Sequence, residues 1–217
     1  MVTVFFALIT GISDKITSFR FDTAKLSERQ PRHVRAMPFV LKKTVVLVGM
    51  MGAGKTAVGR ALADTLSVPF IDSDAEIESA ARLSVAEIFA RDGEAFFREK
   101  EAQVIDRLLS EQPGILSTGG GAFMQDRNRA SIHHKGIAVW LDADLDLLWS
   151  RVRHRDTRPL LKTPDPLATL SALYEARVPI YALAELNVRA DAAYSIQDMA
   201  DKVVQALLTR PDVLEEV

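Results

Sequence analysis

The stretch best placed to do chemistry in this chain is residues 49–56, Gly-Met-Met-Gly-Ala-Gly-Lys-Thr, which matches the pattern G-x-x-x-x-G-K-[ST]. So much glycine costs backbone order, and an anion is what makes that order worth giving up. A loop of this kind turns consecutive N–H groups inward, the helix that follows adds partial positive charge, Lys55 reaches the outer phosphates, and the Thr56 hydroxyl can ligate Mg²⁺. Gly52, Ala53, Gly54, Lys55, Thr56 and Ala57 are therefore the candidate nucleotide-binding residues, with Thr56 the candidate metal ligand. The alternative is a glycine-rich turn with an incidental lysine. The setting argues against it, because a β-branched run, Thr44–Val48, leads in, and Val58, Leu62 and Leu66 recur on one helix face beyond.

Four further clusters carry chemistry. Asp72-Ser73-Asp74 sets two carboxylates two residues apart at the end of an apolar run, where one could help hold Mg²⁺ and the other face a second substrate; an ordinary turn and helix cap is the alternative. Arg98 and Glu101 lie three apart, so the carboxylate can fix the guanidinium, or the two form a plain surface ion pair. Gly119, Gly120 and Gly121 end another apolar run, which fits a ligand close to the main chain or a flexible turn. Arg151, Arg153, Arg155 and Arg158 precede Pro159 in a segment of residues 151–161. Nucleic-acid binding would use such a cluster, but without interleaved aromatics or a basic surplus elsewhere, a lid closing arginine over phosphates is the better reading. Arg177 sits two residues before Pro179 in a helical stretch, where a kink lets it face a cavity.

The elements that must position these groups alternate along the chain. Short apolar runs at Thr44–Val48, 68–71, 114–117, 137–141 and 186–188 are separated by helical patterns, which predicts an α/β fold with five parallel strands, helices on both faces and ligands at the strand carboxyl ends. Ser84 and Glu87 form a capping box that opens a helix after 74–81, and Gly93 ends it. No internal repeat is visible. The chain's 217 residues suit one sizeable domain, and 27 basic against 29 acidic residues give no global attraction to nucleic acid or membrane. With no cysteine, disulfides and thiolate metal sites are excluded, and the cytoplasm is the expected location. Residues 1–12 are apolar but too short to span a bilayer and lack the basic start of a secretory signal. Residues 14–36 read as a basic arm without periodicity, serving targeting or a membrane surface, or forming a plain extension, with Met37 an alternative start. The expected division is an extension over 1–40 and a domain over 41–217.

Taken in order, "GMMGAGKT", "DSD", "GEAFFREKE", "TGGG", "RPLL" and "RVPIY" resemble the shikimate kinases, small nucleoside-monophosphate-kinase-like phosphate-loop enzymes, from about residue 44 to 208. The resemblance implies a three-layer P-loop NTPase fold with a mobile lid at about 151–165. It implies transfer of phosphate from ATP, with Mg²⁺, to the 3-hydroxyl of shikimate in aromatic amino acid biosynthesis. Lys55, Asp74 and Arg158 would then be catalytic, with Arg158 closing on ATP. Asp74 would meet the reacting hydroxyl, Arg98 and Arg177 would hold the shikimate carboxylate, and Gly120 would add a backbone contact. The expected partners are small molecules only, for a monomer without nucleic acid or membrane. The family's late adenine-contacting loop is not recognisable in residues 188–195. A gluconate kinase shares the loop but has less reason for "GEAFFREKE" together with "RVPIY". A GTPase-type switch would need Asp-x-x-Gly and Asn-Lys-x-Asp, and neither occurs.

Overall fold

The computed structural model describes residues 39–154 and 159–217. Its centre is a five-stranded parallel sheet built from β2 (Thr44–Val48), β3 (Phe70–Asp72), β4 (Ile115–Ser117), β5 (Gly136–Asp142) and β6 (Leu186–Arg189), in the order β3-β4-β2-β5-β6. Every residue of β2, β4 and β5 is buried. Strands covered on both faces need apolar side chains on both faces, which is why their sequences are continuous apolar runs without alternation. Chain order reverses at β2, between β4 and β5, and in open sheets of this type the carboxyl end of that position is where a ligand crevice forms.

The helices are α1 (Lys55–Leu66), α2 (Ser73–Ala81), α3 (Val85–Leu108), α4 (Asp126–Lys135), α5 (Leu145–Val152), α6 (Pro166–Tyr181) and α7 (Ile196–Leu208). α1 buries Val58, Leu62 and Leu66 on one side. Ser67 closes it in a left-handed conformation (φ 54), and the Val68 N–H, at the expected start of the second strand, bonds back to the Ala63 carbonyl. Strand β3 therefore begins at Phe70 and continues to Asp72, two residues later than the apolar run suggests. The Ser84–Glu87 capping box is present, with Glu87 N–H donating to Ser84 Oγ at 3.2 Å and Ser84 N–H to Glu87 Oε2 at 2.8 Å. Gly93 interrupts α3 at φ 83 and ψ 170, a conformation closed to residues with a side chain, and so re-aims the helical segment that carries Arg98 and Glu101.

A second sheet was not foreseen from the sequence. β1 (Phe39–Leu41) pairs antiparallel with β7 (Leu214–Glu216), while Phe39 and Leu41 pack on the core. Phe39 and Val40, which the sequence division assigns to the extension, are thus paired backbone. Among the described residues no helix is long and apolar enough to cross a membrane.

Candidate active site

Three strand ends open onto one cleft of about 480 Å³, lined by residues 51–58, Asp72, Asp74, residues 117–120, Arg151, Val152, residues 194–196 and Met199. The loop after β2 forms its floor. Gly49, Gly52 and Gly54 all take positive φ (136, 86 and 96), and a Cβ on Gly52 would stand 2.7 Å from Val152 Cγ1, so the loop is tight against α5. Lys55 Nζ donates to the Gly49 and Met50 carbonyls at 2.8 and 3.1 Å, which folds the ammonium over the loop it follows.

Asp72 ends β3 and works in two directions. Its Oδ1 accepts from the Asp74 and Ala75 N–H groups, capping α2, and its Oδ2 accepts from Thr56 Oγ1 at 3.2 Å. Carboxylate and hydroxyl oxygens side by side at a helix N-terminus are the hard donors that Mg²⁺ prefers. Among the described residues no group of three or more His, Asp or Glu could hold a metal ion alone, so an ion here would complete its shell with phosphate oxygens and water.

Asp74, in the first turn of α2, has a different environment. Burial pushes its carboxyl above the ordinary value of 3.8, the Asp72 charge adds to this, and the cations Lys55 and Arg98 pull against it. Its Oδ1 is buried and, among the described residues, lacks a hydrogen-bond partner. An acceptor-only group held in this way points to a donor that arrives with a ligand.

The glycine run after β4 draws the remaining groups together. A Cβ on Gly119 would come 2.8 Å from Asp74 Oδ1; one on Gly120 would come 3.5 Å from Arg177 Nη1 and 3.6 Å from Tyr181 Oη; one on Gly121 would come 2.7 Å from Arg98 Nη1. Gly119 and Gly121 thus make room for Asp74 and Arg98, while Gly120 lies in ordinary contact with Arg177 and Tyr181. Arg98 donates to Glu101 Oε2 at 2.9 Å and to Glu94 Oε1 at 3.1 Å, and its guanidinium lies over the Phe97 and Phe89 rings at 5.3 and 5.9 Å. Glu101 is fully buried, and that burial pushes its carboxyl up while Arg98 opposes the shift, so the pair is no surface ion pair. Arg177 donates to the Gly120 carbonyl at 3.4 Å.

Lys55, Thr56, Asp72, Asp74 and the glycine turn therefore meet in one cleft, with Arg98 and Arg177 at that turn. Arg158 lies outside the described residues, as does the centre of the expected lid. Two contributors are not apparent from sequence. Arg151, read there only as one of the arginine cluster, donates to the Gly52 carbonyl at 3.3 Å from α5. Tyr194, Ser195 and Ile196 bring the start of α7 into the cleft although their segment matches no adenine-loop pattern; a Ser195–Asp198 capping box in the sequence was the available signal.

A phosphate loop at the switch point of a parallel sheet, with an acidic and arginine-lined site beside it, defines a small-molecule kinase of the P-loop class. The sequence model of the family described as shikimate kinase matches residues 51–208, and the chain belongs to that family. It is 61% identical to the shikimate kinase of Ruegeria pomeroyi over 88% of this chain and 98% of that one, and 65% identical to the shikimate kinase of Cereibacter sphaeroides over 81% and 87%. A solved structure of shikimate kinase from Acinetobacter baumannii in complex with shikimate superposes with a TM-score of 0.73 at 38% identity, covering 77% of this chain and 93% of that one.

Proposed function

We propose that this chain transfers the γ-phosphoryl group of ATP to the 3-hydroxyl of shikimate, giving shikimate 3-phosphate and ADP. The observation that carries the reading is the convergence of Asp74, Arg98 and Arg177 on the glycine turn beside the phosphate loop. A carboxylate to meet a hydroxyl and two guanidiniums to grip a carboxylate form a complement to a hydroxylated ring acid.

Phosphoryl transfer runs through a loose transition state, so the protein's task is positioning and positive charge. The loop N–H groups and Lys55 hold the phosphates, and Arg151 adds charge from α5. Thr56 and Asp72 would hold Mg²⁺, which when bound would supply further positive charge for the phosphates. Asp74 orients the acceptor hydroxyl and takes its proton late in the transfer, a role suited by a carboxyl that burial and the Asp72 charge raise above its ordinary value. Tyr194 and the half-exposed Ile196 supply an aromatic and an apolar wall for the adenine. Arg158, on the family resemblance, closes over ATP from a lid at about 151–165. The reading includes a monomer working in the cytoplasm, with residues 41–217, extended by Phe39 and Val40 of β1, as the kinase domain.

The test is a coupled ADP-release assay with shikimate, gluconate or no acceptor. Shikimate-dependent release is expected; release driven by gluconate, or independent of any acceptor, overturns the assignment.

A further inference from the structure

Arg177 is not alone at the Gly120 carbonyl. Tyr181 follows it by four residues on α6, so the two side chains share a face, and the Tyr181 hydroxyl donates to the same oxygen at 2.5 Å, against 3.4 Å for Arg177 Nη1. The shorter bond is the dominant one. Tyr181 cannot drift from it: the residue is fully buried, and its ring stacks with those of Phe123 and Trp140, with centroids 6.4 and 6.3 Å away. Burial also pushes its phenol up to about 12, so the hydroxyl keeps its proton across the working range of an enzyme.

We propose that Tyr181 is a positioning residue for acceptor recognition, which occupies the Gly120 carbonyl so that the Arg177 guanidinium remains available to a carboxylate. The Gly120 carbonyl is partly buried at the edge of the cleft, where it is held by side-chain donors. If Tyr181 did not supply one, the nearest alternative is Arg177, which would have to shorten its long contact and turn its fork away from the ligand. The hydroxyl therefore acts on the acceptor through Arg177 without touching it. This rests on the reading of Arg177 as a carboxylate contact, and the experiment separates the two.

Wild type, Arg177→Lys and Tyr181→Phe, all as full chains, are assayed with shikimate and with its analogue in which the carboxylate is reduced to an alcohol, alongside the KM for ATP and the thermal midpoint. Phenylalanine keeps the ring contacts with Phe123 and Trp140 and removes only the hydroxyl. For Tyr181→Phe we expect the KM for shikimate to rise about tenfold, the loss of one effective charge-assisted contact, with the KM for ATP within about twofold. The preference for shikimate over the alcohol should fall by a similar factor. If that preference is kept in Tyr181→Phe but lost in Arg177→Lys, the Tyr181 assignment is wrong and the Arg177 reading stands. If Arg177→Lys also keeps it, the underlying reading fails and takes this one with it. A Tyr181→Phe protein that does not fold, or whose kcat and both KM values move together, makes the hydroxyl a structural group and overturns the proposal.

Discussion

A Cβ on Gly119 would stand 2.8 Å from Asp74 Oδ1 and 3.0 Å from Oδ2, so the absence of a side chain at Gly119 is what gives the Asp74 carboxylate its place. The Gly119 backbone is not in the left-handed region, and the three atoms nearest an alanine Cβ there all belong to the Asp74 carboxyl group. Gly119→Ala should displace Asp74 and lower kcat by about a hundredfold, the usual scale for a misplaced reacting group. The thermal midpoint should stay within about 2 °C. Steady-state kinetics beside a melting curve checks both, and unchanged turnover would remove Asp74 from the mechanism.

Asp74→Asn separates activity from stability. Turnover should fall about a hundredfold, since a positioned proton acceptor is lost. Stability should move the other way. Folding raises the carboxyl pKa above 3.8, mainly through burial and then through Asp72. At a pH below 3.8 both folded and unfolded chains hold the proton and the group costs nothing extra. As pH rises through the folded value, the native state must carry a buried charge and loses stability relative to the unfolded chain. Asparagine removes that charge, so the variant should melt higher than wild type at pH 7, with the advantage shrinking as pH is lowered toward 3.8. Denaturation curves across that range are the measurement; a variant less stable at pH 7 contradicts the environment described for Asp74.

Arg98→Lys keeps the charge and loses the fork that spans Glu101 and Glu94. Shikimate binding should weaken by about 1.5–3 kcal/mol, with ATP binding almost unchanged, as read by titration calorimetry for each ligand. Glu101→Gln should do the same more mildly, because Arg98 loses its buried anchor.

Beginning the chain at Met37 retains β1, and the melting temperature and activity should match those of the full chain. A start at Thr44 deletes Phe39 and Leu41 from the core and Lys42 and Lys43 from their ion pairs with Glu215 and Asp212 at 2.7 and 2.8 Å. Losing two half-buried apolar side chains should cost about 2 kcal/mol, or roughly 4–8 °C in a domain of this size. The ion pairs are exposed and add little, so the difference should persist in high salt. A salt-sensitive difference would assign the ribbon's stability to those pairs instead.

What sequence alone made legible was whatever is encoded by neighbours in the chain. The phosphate loop, the capping box at Ser84, the break at Gly93 and the buried runs of β2 and β5 depend on local backbone conformation, hydrogen bonds over a few residues and strand periodicity. Those rules act within one turn or one strand, and residue types a few positions apart reveal them. The β3 boundary was missed by two residues because the helix cap at Ser67 competes with strand formation for the Val68 N–H.

Relationships between distant segments were decided only by tertiary structure. In sequence Glu101 reads equally as an anchor for Arg98 or as half of a helical surface pair, and only its burial in the fold decides for the anchor. Tyr181 reads as one more aromatic at a helix end until β4 brings the Gly120 carbonyl, 61 positions away, to its hydroxyl. Arg151 becomes a phosphate-loop contact only when α5 packs on Gly52. The ribbon of β1 and β7 joins opposite ends of the domain across 177 positions at Phe39 and Glu216 (216 minus 39). No local preference distinguishes these partners from other tyrosines, arginines or short strands. Their roles come from burial and from hydrogen bonds whose donors and acceptors meet only once the sheet has assembled.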